Sequence, residues 1–61
     1  MILELSNTEW IRINDVYSVE DIVQEFHCAI DWDWKNGYYV KIDFPNEIHY
    51  TKFLLKFSHI L

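Results

Sequence analysis

The chain has 61 residues, 51 % hydrophobic and 18 % aromatic, with one Gly, one Pro, one Cys and a formal charge of −5. That aromatic content excludes a disordered acidic tail, and five basic residues are too few for the Lys and Arg clusters that phosphate binding uses. One small domain, 1–61, is expected, burying only about 60 % of its unfolded surface as a monomer.

Ile2, Leu3 and Leu5 around Glu4 form a short apolar run. Trp10, Ile11 and Ile13 alternate in part with Arg12 and Asn14, and Ser6-Asn7-Thr8 between the two runs is turn chemistry. Residues 2–6 and 9–14 are therefore predicted as two short strands. Ser18 suits a helix N-cap, with Glu20 and Asp21 where the helix dipole favours negative charge. Val19, Ile22, Val23, Phe26 and Ile30 then recur at helical spacing, which predicts a helix over about 19–30.

The end of that helix has two readings. The preferred one continues it to Trp34, with Gly37 as the left-handed residue beyond. The other begins a hairpin at Ile30, with Lys35-Asn36-Gly37 as its loop. Its register pairs Trp34 with Tyr38, Trp32 with Val40 and Ile30 with Ile42 on one face. Asp33/Tyr39 and Asp31/Lys41 then fall on the other.

Residues 38–44 read as a strand in either case, ended by Pro45-Asn46. In 47–61, His49, Lys52, Lys56 and His59 segregate from Tyr50, Phe53, Leu54, Phe57, Ile60 and Leu61 in a helical partition, although the β-branched and aromatic content argues for a strand. The expected class is α+β, a small antiparallel sheet packed by one or two helices in the order β-β-α-β-α.

No catalytic site is expected. His27 and Cys28 are adjacent, and neighbours on a helix point about 100° apart. No His pair has i, i+4 spacing and no loop has Ca²⁺-ligand spacing, so neither metal nor cofactor is expected. The stripe His49/Lys52/Lys56/His59 reads as a solvated face that can answer the acidic half. Direct nucleic-acid binding and membrane insertion are not expected. The start of the chain lacks the pattern of a signal peptide, no apolar run reaches the ~20 residues of a membrane span, and lone Cys28 allows no intrachain disulfide. A cytoplasmic location is the expectation.

The functional signal is the distribution of charge. Residues 1–33 hold eight carboxylates against Arg12 alone, a charge of −7, while residues 34–61 hold two against four lysines, +2. Anionic surfaces select cationic partners. With the longer helix, Glu20, Asp21, Glu25, Asp31 and Asp33 cluster beside Trp32, and these six are the candidate partner-binding residues. The expected function is a small acidic inhibitor that presses this face into the basic cleft of a nucleic-acid-processing enzyme. By class-level analogy, phage anti-defence and anti-CRISPR proteins, nuclease inhibitors and antitoxins follow this logic. The alternative is a homodimeric structural or regulatory module without such a target.

Overall fold

The computed structural model describes residues 1–33, 35 and 39–61. Strand β1 (Ile2–Ser6) leads directly into helix α1 (Asn7–Asn14), followed by α2 (Val19–Phe26), β2 (Ala29–Asp33), β3 (Tyr39–Asp43) and α3 (Glu47–Phe57). The three strands form one antiparallel sheet in the order β1-β3-β2. The α+β class expected from the sequence holds.

Residues 9–14 are helical rather than a strand, and the reason lies at Ser6. Its hydroxyl accepts from the backbone N–H of Glu9 at 3.3 Å, while the Glu9 carboxylate accepts from the Ser6 backbone N–H at 3.1 Å and from the Ser6 hydroxyl at 2.9 Å. This reciprocal capping box satisfies N–H groups that a helix start otherwise leaves unpaired. Ser6-Asn7-Thr8 therefore opens a helix instead of a hairpin turn. Trp10 and Ile13, three residues apart, then share its buried face, with Ile11 and Arg12 turned to solvent.

Helix α2 starts at Ser18, whose hydroxyl accepts from the Asp21 N–H at 3.2 Å. It ends at Phe26, so the longer helix to Trp34 does not form. His27 turns left-handed (φ 50°, ψ 37°) and redirects the chain into β2. Ile30 is four residues beyond Phe26, a step that fits a helix. It also fits the alternation Ile30/Trp32 against Asp31/Asp33, and pairing with β3 decides between them. The register is that of the hairpin reading: Ile30 opposite Ile42, Asp31 opposite Lys41, Trp32 opposite Val40 and Asp33 opposite Tyr39. The Trp34/Tyr38 pairing, the placement of Asn36 and Gly37, and the first residue of the 38–44 strand lie outside the described residues. Lys35 lies in a turn, its N–H donating to Asp33 Oδ1 at 3.1 Å.

Segment 47–61 is helical through Phe57 and ends in turns, with Asn46 as N-cap. All three helices lie on one face of the sheet. Trp10, Ile13, Ile22, Phe26, Phe53 and Phe57 pack there against Leu5, Val40 and Ile42. Phe26, Phe44, Phe53 and Phe57 form a ring cluster with centroids 4.7–6.5 Å apart. Large rings thus build the core of this short chain, each contributing roughly 1.5–3 kcal/mol through burial. Among the described residues no helix is long and apolar enough to cross a membrane.

Candidate functional site

The helices cover one face of the sheet and leave the other to solvent. Strand alternation decides which side chains reach the open face. Leu3 and Leu5 of β1, Ile30 of β2, and Val40 and Ile42 of β3 point toward the helices. The remaining residues form three cross-strand rows on the open side. These are Ile2–Asp43–Ala29, Glu4–Lys41–Asp31 and Ser6–Tyr39–Asp33.

Four carboxylates, Glu4, Asp31, Asp33 and Asp43, therefore share this face with Lys41, with Lys35 beside Asp31 and Asp33 and the Met1 ammonium 3.7 Å from Asp43 Oδ1. Lys41 Nζ lies 3.8 Å from Glu4 Oε1 and 3.7 Å from Asp33 Oδ2. Such exposed pairs contribute at most about 1 kcal/mol each. Same-face neighbours sit ~4.5–5.5 Å apart across strands and ~6.6 Å apart along one strand. Tyr39, exposed in the third row, supplies the aromatic of this surface.

The six candidate residues are not brought together. Asp31 and Asp33 lie on the open sheet face. Trp32, between them in sequence, points to the helix side and packs edge-on against Trp10, with centroids 6.3 Å apart. It remains 38 % exposed at the β2 edge. Glu20 and Asp21 are exposed in the first turn of α2, where they complement the helix dipole.

Glu25 is engaged within the molecule. Lys56 Nζ donates to both of its oxygens at 2.8 Å and sits 4.2 Å from the centre of the Tyr17 ring. The Glu25 hydrogen bond, and after it the Tyr17 side chain, hold the Lys56 ammonium above its ordinary pKa. Sequence reasoning missed Glu4, Tyr39, Lys41 and Asp43. The signal for them is alternation in β1 and β3, which places each opposite a buried neighbour in its own strand.

His27 and Cys28 border the first of the three rows, lining a shallow pocket with Ala29 and Asp43. The Cys28 thiol is buried and donates to the Ile22 carbonyl at 3.7 Å, and desolvation pushes its pKa up. A thiol so placed is a core group and not an exposed thiolate. His27 instead meets His49 of α3, ring centroids 5.3 Å apart. No group of three or more His, Cys, Asp or Glu side chains is arranged around a metal position among the described residues.

Comparison with protein-family models, with curated proteins and with solved structures finds no match to this chain.

Proposed function

We propose that this protein is a small acidic inhibitor that occupies a basic cleft of a nucleic-acid-processing enzyme through the open face of its sheet. The observation that carries this reading is the three-row arrangement of Glu4, Asp31, Asp33 and Asp43 around Lys41, on a sheet face that no helix covers among the described residues. A rigid sheet holds these charges at fixed separations, so little side-chain order has to be gained on binding. Phosphates rise ~3.4 Å per nucleotide along one DNA strand, and two such rises match one same-face step of ~6.6 Å along β2. A cleft that binds a phosphate backbone offers the complementary cations. Tyr39 supplies an aromatic contact at the end of the patch, in the row it shares with Asp33.

The contact set proposed first therefore contracts to Asp31 and Asp33 and gains Glu4, Tyr39 and Asp43. Glu20 and Asp21 serve the start of α2, and Glu25 serves Lys56. Long-range attraction gives this mode a strong salt dependence.

The test has two stages. Capture from host lysate at about 50 mM and about 500 mM salt should recover a nucleic-acid enzyme only at the lower concentration. The purified protein should then displace DNA or RNA from that enzyme. The combined variant Glu4→Gln, Asp31→Asn, Asp33→Asn, Asp43→Asn should lower the association rate by about tenfold or more. Displacement by that variant at the wild-type rate rejects the open face as the contact surface.

A second reading, a homodimer, has one observation in its favour. Ile48 and Leu55 are 64 % and 73 % exposed and lie two turns apart on the outer side of α3. Sedimentation of Leu55→Lys against the wild type separates the readings, because a dimer through α3 dissociates in that variant while the sheet face is untouched.

A further inference from the structure

We infer that His27 and His49 form a two-histidine site for a borderline divalent cation of the Zn²⁺, Ni²⁺ and Cu²⁺ class. The residues are distant in sequence, and the packing of α2 against α3 brings their rings to 5.3 Å. Three features of the pair point to ligation.

The first is separation. A metal–nitrogen bond of ~2.0–2.1 Å places each ring centre ~3.2 Å from the metal, and a tetrahedral angle then sets the two centres ~5.2 Å apart. The observed centroid spacing of 5.3 Å meets that condition, as it also meets that of an edge-on ring contact. The planes stand at 86°, and each ring on a shared ion is free to turn about its own metal–nitrogen bond.

The second is the tautomer of His49. Its Nδ1 lies 2.8 Å from Asn46 Oδ1, and that same oxygen accepts from the His49 backbone N–H at 3.0 Å. The backbone donor identifies the Asn46 atom as the oxygen, which cannot donate, so Nδ1 carries the proton. In the neutral ring the lone pair is then on Nε2. A ligating histidine whose other ring nitrogen donates to an oxygen is the usual support around a metal.

The third is the backbone at His27. It is the non-glycine residue with positive φ among those described, at a helix end where Gly is preferred. Strained seats of this kind collect at functional positions. This one carries an exposed imidazole to a half-buried partner. The carboxyl end of α2 favours positive charge there, offsetting the opposite bias from the first turn of α3.

Cys28 is not a ligand, because its thiol is directed into the core. Two nitrogens with water in the remaining positions suit Zn²⁺, Ni²⁺ and Cu²⁺ and discriminate against Mg²⁺ and Ca²⁺, which take oxygen ligands. The ion would join the end of α2 to the start of α3. This inference does not depend on the acidic-face reading.

Calorimetric titration of the full chain with Cu²⁺, Ni²⁺, Zn²⁺ and Mg²⁺ tests it. One ion per chain is expected, Cu²⁺ tightest and Mg²⁺ unbound. His27→Ala and His49→Ala should each weaken binding tenfold or more, and His59→Ala should leave it unchanged. A second readout covers a variant that does not fold. In the wild-type protein, imidazole NMR signals of His27 and His49 should shift together on adding Zn²⁺, with His59 unmoved. Unchanged affinity in either alanine variant, a shift of one ring alone, or a metal-dependent dimer overturns the inference.

Discussion

Glu9 accepts two hydrogen bonds from Ser6 and thereby starts α1. The bond from the Ser6 backbone, and then that from the Ser6 hydroxyl, hold the Glu9 carboxyl below its ordinary pKa. The ionised form is therefore favoured by the fold. Its contribution is complete above the unfolded pKa of ~4.3 and is lost as pH falls through the lower folded value. Glu9→Ala should cost about 1 kcal/mol at neutral pH, read from urea denaturation. Glu9→Gln should show a shallower loss of stability than the wild type below about pH 5. Lys56 has the opposite sign. Its raised pKa stabilises the fold below the unfolded value, and that contribution disappears as the solution becomes strongly alkaline.

At the scale of elements, α1 is the decisive one. Ile11 lies in its interior, so Ile11→Pro removes a helical hydrogen bond and forces a clash, costing about 3 kcal/mol. An edge strand over 9–14 would tolerate the same change far better, so a denaturation midpoint distinguishes the two. The sequence conceals this helix because Ser-Asn-Thr before an apolar run suits a turn and a cap equally, and eight residues show barely two helical turns. The start of α2 was legible, marked by Ser18 before a periodic apolar run. By contrast, α3 showed only a helical partition over 47–61 against a strand-like composition, and Asn46 read as the end of the strand before it rather than as a cap. The end of α2 was not legible, since His27 carries no glycine-like signal for a left-handed residue. The acidic excess could be counted, but its address could not. Glu4 and Asp43 reach the same face only through pairing between strands far apart in the chain. The His27–His49 pair likewise depends on helix packing that no local pattern encodes.

For the whole molecule, stability rests on a few large side chains. A 61-residue domain at roughly 0.05–0.15 kcal/mol per residue has about 3–9 kcal/mol in total. Phe53 is fully buried and contacts three other phenylalanine rings. Phe53→Ala should cost about 3–5 kcal/mol, enough to unfold much of the population at 25 °C by circular dichroism. Phe53→Leu should stay folded.

The central strand β3 is also the last of the three to be synthesised, which has a kinetic consequence. Five residues, 34–38, separate it from β2, whereas 32 residues, 7–38, separate it from β1. Closing the longer segment costs about 1.6 kcal/mol more in chain entropy. The β2–β3 hairpin should therefore form early in refolding, with β1 zipping on last. On a ribosome, β1 must wait unpaired until residue 43 has emerged. Weakening β1, as in Leu5→Ala, should then speed unfolding and leave the refolding rate nearly unchanged.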